Sequence, residues 1–402
     1  MADPSKVRMS GPLTPFRGGF ASELARQGYL PNSLSSQLHL MAHLSRWMTG
    51  EALEPRGLTA EASERFLAHR RSQGYVLWLS AKALVPLLGY LRDLGAVPPV
   101  RPVVLSGPEG LLETYRKYLL AERGLVAGSA EAYVIAVRPF VTARAVGEPA
   151  SLVGLAPADV TGFVLAACTG RSTGSAKLIV TALKSLLGFL HVEGLIATPL
   201  AAAVPSVAGW KLAGLPRYLG PGEVHRLLNA CDLETPTGRR DLAILMLLAR
   251  LGLRAGEVAS MRLSDIDWRA GELVVRGKGS RSERLPLPTD VGDALASYLR
   301  QGRPPTAEGR NVFVRAHAPH RALTSGAVTN IVYAASLRAG LPRTGAHQLR
   351  HSAATAMVRG GAGLPEVGQV LRHRLLLTTA IYAKVDREGL RSLARAWPGE
   401  PK

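Results

Sequence analysis

Four prolines, Pro98, Pro99, Pro102 and Pro108, constrain this chain more than any other feature. Proline lacks a backbone N–H and fixes φ, so no regular helix or strand runs through such a cluster. A second break, rich in Ala, Pro and Gly, runs from Thr198 to Gly222 and reads as an interdomain linker. At 402 residues the chain also exceeds a single core, which seldom grows past about 250 residues. We therefore expect three blocks, 1–105, 106–203 and 221–402, with 204–220 as the connection.

The first two blocks read as helical. Leu34, Leu38, Met41, Leu44 and Trp47 fall at helical spacing, as do Leu84, Leu87, Leu88 and Leu91. The second block echoes the first. Ala83-Leu-Val-Pro-Leu-Leu-Gly-Tyr-Leu matches Ala182-Leu-Lys-Ser-Leu-Leu-Gly-Phe-Leu, and Gly28 and Gly124 open corresponding segments. Each leucine-rich stretch is followed by a glycine, Gly95 or Gly194, and then a proline. A duplicated small helical domain explains the pattern; the alternative is two unrelated leucine-rich segments.

The third block mixes elements. Pro221-Gly-Glu-Val is a helix start with an acid in the first turn. Arg240 to Leu251 is a strongly apolar, buried helix. Glu272–Val275 and Arg284–Leu287 flank a Gly-Lys-Gly-Ser turn as a β-hairpin. Thr324-Ser325 reads as an N-cap, and Gly345 opens another apolar helix.

The formal net charge of +19, carried mostly by arginine, points to an anionic partner, although a GC-rich codon bias would also raise arginine. Cys168 and Cys231 lack disulfide-framework or metal-ligand spacing, which suits a reducing compartment. The N-terminus has no apolar leader core, and no uninterrupted apolar run has the ~18 residues of a membrane span, so we expect the cytoplasm and no membrane partner.

The chemistry lies in a spaced set: Arg254, Glu257, Lys278, His347, Arg350, His373 and Tyr382. Phosphodiester transfer needs cations around the equatorial oxygens, a nucleophile and a proton source for the leaving oxygen. No acidic cluster has Mg²⁺-site spacing, so arginine and histidine must supply the positive charge. Glu257, three residues after Arg254, can orient an arginine or a neighbouring backbone. Lys278 sits at the hairpin tip, within reach of a DNA groove, where it can donate a proton to a departing oxygen. His347 and Arg350 share a helix face, whereas His351 is expected to point elsewhere as a structural residue. Tyr382 needs activation, and surrounding cations are expected to lower its pKa. Taken singly, each residue is better explained as a surface pair, a turn lysine or a core tyrosine; the ordered set on a basic chain reverses that balance.

Over residues 216–390 this pattern resembles the tyrosine recombinases, or phage-type integrases. The first arginine box is similar to Leu251-Gly-Leu-Arg-Ala-Gly-Glu-Val, the hairpin lysine to Lys278, the His-x-x-Arg box to His347 and Arg350, the later histidine to His373, and the nucleophile to Tyr382. The resemblance implies a mainly α, multidomain fold: α-helical core-binding (SAM-like) domains plus a mixed α+β catalytic domain with a small β-sheet. It implies a site-specific recombinase that cleaves and rejoins double-stranded DNA through a 3′-phosphotyrosine, with neither ATP nor metal as cofactor. Arg254, Arg350 and His373 would stabilise the transition state, Lys278 would protonate the leaving oxygen, and His347 would assist.

The resemblance further implies that 106–203 is the core-binding clamp and that the protein works as a synaptic tetramer on DNA. It leaves room for accessory recombinases or DNA-bending proteins. Residues 1–105 are extra, and favour an integrase or transposase of a mobile element over a minimal dimer-resolving enzyme. The tail stripe Leu390, Leu393, Ala394 and Trp397 is expected to dock into a neighbouring subunit. Two positions depart from the family's habit: Arg372 where Gly is common, expected to add a phosphate contact, and Leu375 where Ser is common. A type IB topoisomerase-like enzyme and a non-catalytic DNA-binding relative are the alternatives.

Overall fold

The computed structural model describes residues 7–99, 107–145, 152, 154–208, 217–277, 282–373 and 376–385. They group into two compact units, Met1–Val100 with Gly214–Lys402, and Arg101–Ala213.

The second unit is four helices: α5 (Gly107–Ala121), α6 (Ala127–Arg144), α7 (Pro157–Cys168) and α8 (Thr173–Val192). Its core joins Leu112, Tyr115, Phe140, Val160, Leu183 and Leu187. The Tyr115 hydroxyl, buried with its ring, donates to the Ala182 carbonyl at 3.2 Å, which satisfies the one polar atom the ring carries inward. Among the described residues, α8 alone is long and apolar enough to cross a membrane, but half of that stretch is buried here. Lys177 and Lys184 interrupt it, which is why no uninterrupted apolar run appears in the sequence.

Among the described residues, the first unit has two large cores and a smaller third one. The N-terminal one comes from four helices, α1 (Arg17–Arg26), α2 (Pro31–Gly50), α3 (Ala60–Ser72) and α4 (Ala81–Asp93). The heptad-like leucines of α2 and α4 all face inward. Each of the two helical sets has a left-handed glycine ahead of its second helix, Gly28 (φ 84°) and Gly124 (φ 59°), and another after its last, Gly95 (φ 66°) and Gly194 (φ 71°). Arg26 of α1 ion-pairs with Glu308, so the N-terminal helices touch the C-terminal part of this unit.

The C-terminal core is built on α10 (Pro236–Arg250), in which every residue from Ala243 to Ala249 is buried. Around it lie α9 (Pro221–Asn229), α11 (Ala255–Ser260), α12 (Thr289–Ser297), α13 (Ser325–Arg338) and α14 (Ala346–Arg359). Thr324 caps α13, its Oγ1 accepting from the Ala327 N–H. The predicted hairpin is β2 (Glu272–Arg276) and β3 (Ser282–Pro286), antiparallel with Leu273 opposite Leu285. A short third strand, β1 (Ile266–Asp267), completes the sheet in the order β1-β2-β3. It is too short to show a period-two pattern in sequence. Lys278, expected at the hairpin tip, lies outside the described residues, as do Leu375 and the tail stripe.

Three chain ends meet where the site forms. The turn after α10 runs Leu251-Gly252-Leu253 into Arg254, the N-cap of α11. α14 begins after Gly345 and carries His347, Arg350 and His351. α15 (Leu364–Val370) ends at Leu371, and the chain then passes His373, α16 (Leu376–Thr379) and a 3-10 turn, Ala380–Val385, that holds Tyr382. Tyr382 packs in a small core with Ala354, Val358, Val367 and Leu371. Gly252 is a close approach within this site: its φ is +58°, and a Cβ there would lie 2.6 Å from Leu371 Cδ2. Gly252→Ala should lower stability by about 1–3 kcal/mol, the usual cost of forcing a side chain into the left-handed region. A denaturant titration checks this, the expected result being a lower midpoint with an unchanged slope.

Candidate active site

Arg350 is the buried centre of the site, with 2% of its surface exposed. Its Nη1 donates to the Gly252 carbonyl and its Nη2 to the Leu371 carbonyl. Burial, then the charges of Arg254 and Arg372, push its pKa down to about 10, so it stays charged at neutral pH. Arg254 is different. Its side chain is 45% exposed, and its fork is anchored at one edge by Glu257, Nη1 to Oε1 at 2.7 Å. Glu257 Oε2 also accepts the Arg254 backbone N–H at 2.8 Å, so one buried carboxylate holds both the arginine and the start of its helix. Burial alone would raise the Glu257 pKa; the donated bonds and the charges of Arg372 and Arg254 outweigh it and hold the pKa below the usual carboxylate value.

Arg372 does not face outward as the sequence reading expects. Its side chain is 4% exposed and its Nη2 donates to Glu257 Oε2 at 2.8 Å. Three guanidiniums, Arg254, Arg350 and Arg372, therefore surround one carboxylate, Glu257. The surplus is positive, and an anion is what balances it.

His373 stands on the same loop. Its Nδ1 lies 2.8 Å from the fully buried Thr379 Oγ1, which fixes the ring and leaves Nε2 unused by that bond. Burial first, then Arg350, Arg254, Arg372 and His351, bring its pKa down to about 4. His347 is exposed on one side and crowded on the other; lost hydration, then Arg350 and Arg254, lowers its pKa.

Tyr382 is 1% exposed. Its hydroxyl lies 2.9 Å from His351 Nδ1, and its ring is parallel to that of His373, with centroids 6.4 Å apart. Two expectations need correcting here. His351 does not point elsewhere: residues 347, 350 and 351 stand at i, i+3 and i+4, one face of one helix, and the two imidazoles meet edge to face at 4.3 Å. That spacing was present in the sequence and would have found His351. Nor do the cations win at Tyr382. Burial raises the phenol pKa, and Arg350 offsets this only in part. His351, pushed down to about 4 by burial, His347 and Arg350, is neutral at pH 7, and with its proton on Nε2 its Nδ1 can accept from the phenol.

The structure thus gathers Arg254, Glu257, His347, Arg350, His373 and Tyr382 into one place and adds His351 and Arg372 to them. Such a group can hold a phosphate between fixed guanidiniums beside a phenol with a proton acceptor.

The sequence profile of the Phage integrase family matches residues 217–388. A Sinorhizobium fredii protein named as an integrase/recombinase, y4rA, is 40% identical over 97% of this chain and 96% of its own length. The tyrosine recombinase XerD of Listeria monocytogenes is 30% identical, over 70% of this chain and 96% of XerD. Among solved structures, the XerH site-specific recombinase in a post-cleavage complex with palindromic difH is similar with a TM-score of 0.56, at 19% identity over 82% of this chain and 93% of that one. A lambda integrase dimer on a COC′ core site gives 0.52, at 20% identity over 73% and 99%. The mainly helical fold with a small sheet is shared with both. The chain belongs to the phage integrase family of tyrosine recombinases, whose activity is site-specific cleavage and religation of DNA strands.

Proposed function

We propose that Tyr382 is the nucleophile of this recombinase and that its proton goes to His351. The hydroxyl-to-imidazole distance of 2.9 Å, inside a ring of surplus cations, carries the reading. The phenol oxygen attacks a DNA phosphate, the bond to the 5′ oxygen breaks, and a 3′-phosphotyrosine and a free 5′ hydroxyl result. Arg254, Arg350 and His373 stabilise the charge on the equatorial oxygens, His347 assists proton transfer, and Glu257 keeps Arg254 oriented. Lys278 protonates the leaving oxygen in this reading. A 5′ hydroxyl from another strand reverses the attack, so the phosphotyrosine stores the bond energy and no ATP or metal enters.

Because Tyr382 is buried and its pKa raised, attack requires the packing to loosen around the short 376–385 segment. An incoming phosphate supplies the anion that the arginines lack, which is a differential interaction large enough to shift such an equilibrium.

Around this site we assign residues 106–203 to the core-binding clamp and 221–402 to the catalytic domain with its tail. The repeated glycine positions support reading 1–105 as a duplicate of the clamp unit. The protein works in the cytoplasm as a synaptic tetramer, serving integration or transposition of a mobile element; the similarity of the whole chain to an integrase/recombinase supports that role.

A nicked duplex taken from the boundaries of the DNA segment that carries the gene tests the chemistry. With EDTA present, wild type should leave a covalent protein–DNA band on a denaturing gel, Tyr382→Phe none, and His351→Ala a band forming about 100-fold more slowly, the usual scale of general-base loss. A band that survives in Tyr382→Phe would refute the assignment. Acid offers a second check. His351 and His373 titrate near 4 in the fold and near ~6.5 when unfolded. Their contribution to stability is therefore complete above the unfolded value and drains as pH falls to about 4, because the unfolded chain takes up protons first. Thermal unfolding followed from pH 7 to 4 should show a falling midpoint, and His351→Gln with His373→Gln should flatten the slope.

A further inference from the structure

The loop after α15 places an arginine where the backbone favours glycine. Arg372 has φ +54°, in the left-handed region that side chains seldom occupy. A glycine would take this conformation without strain, and the resemblance leads one to expect glycine at this position. The arginine is therefore present for its side chain. That side chain turns inward: Nη2 donates to Glu257 Oε2 at 2.8 Å and Nη1 to the Val370 carbonyl at 2.9 Å. Its Nε, also buried, has no partner among the described residues, so the ion pair rather than full hydrogen bonding holds the group in place.

The same short loop holds both arginines of the site. The Leu371 carbonyl accepts from Arg350, and the Arg372 carbonyl accepts from Arg254 Nη2 at 3.4 Å. We propose that Arg372 is a positioning residue for strand cleavage: by pairing with Glu257 it ties the 371–373 loop to α11, and it neutralises the carboxylate so that Arg254 and Arg350 keep their charge for a phosphate. Without the side chain, Glu257 has Arg254 as its sole guanidinium partner and draws it inward, while the two carbonyls lose their tether. The inference rests on reading Arg254, Arg350 and Tyr382 as the strand-cleaving site.

Full-length Arg372→Gly and Arg372→Lys are compared with wild type and Tyr382→Phe. Single-turnover formation of the covalent adduct is measured on the nicked duplex from the gene's own segment boundaries, alongside DNA affinity by gel shift. Arg372→Gly should slow adduct formation about 10-fold to 100-fold, the scale of a small misplacement of catalytic groups, with affinity unchanged. Arg372→Lys, which keeps a charge within reach of Glu257, should recover part of the rate. A second arm needs no cleavage. NMR titration of carbon-13-labelled histidine should find His373, which also faces Arg350, Arg254 and His351, titrating at higher pH in Arg372→Gly than in wild type.

A wild-type rate in Arg372→Gly, or a loss of affinity that accounts for the whole loss of rate, overturns the proposal. So does an unmoved His373 titration. If wild type forms no adduct that Tyr382→Phe abolishes, the cleavage reading fails instead, and the His373 titration alone judges the hold of Arg372. Should the glycine variant not fold, the lysine variant decides: a wild-type rate and titration support charge pairing, and a rate as low as that of Tyr382→Phe refutes it.

Discussion

One guanidinium joins the parts of this site. Arg350 leaves α14, enters the interior and donates to two backbone carbonyls from distant segments, Gly252 after α10 and Leu371 after α15. Burying a charge is costly unless it is well hydrogen-bonded. Here the bonds that satisfy it are the ones that set the site's geometry. The first carbonyl fixes the turn that presents Arg254, and the second fixes the loop that leads to His373 and Tyr382. Gly252 makes this approach possible, because any side chain there would meet Leu371.

The arrangement separates readiness from reactivity. Arg254, Arg350, Glu257 and His373 are held by protein groups alone, the condition under which fixed dipoles and charges act without reorganisation. The proposed nucleophile is held back: Tyr382 is buried, protonated and hydrogen-bonded to an imidazole. Among the described residues, Glu257 is the carboxylate that faces this cationic surplus. In the proposed reaction a phosphate completes the charge balance, which would couple binding and activation through the same residues.

Much of this was legible in the sequence, for physical reasons. Helices α2 and α4, whose apolar residues recur at helical spacing, appear where the pattern puts them because each buries a stripe, and α10 appears because its apolar run is buried all round. The hairpin is found because the β-prone run Leu273-Val274-Val275 leads into a glycine-rich stretch. What escaped depends on three-dimensional company. The Tyr382 pKa is a contest between burial and charge, and burial cannot be read from spacing. Arg372 looks like one more surface arginine until its left-handed φ turns it toward Glu257. His351 was discounted although its spacing from His347 carried the signal. β1, two residues long, offers no pattern to find.

The central claim is that Arg350 holds the site together through two backbone carbonyls. Hydrogen exchange of Arg350→Lys against wild type, without DNA, tests it most directly. Lysine keeps a charge but cannot donate to both carbonyls in the geometry of the fork. The account predicts faster exchange in both dependent segments, 254–258 and 371–373 with 376–382, and unchanged protection in α12 and α13. Unchanged exchange in both segments would contradict it, and would leave Arg350 a role confined to the chemical step.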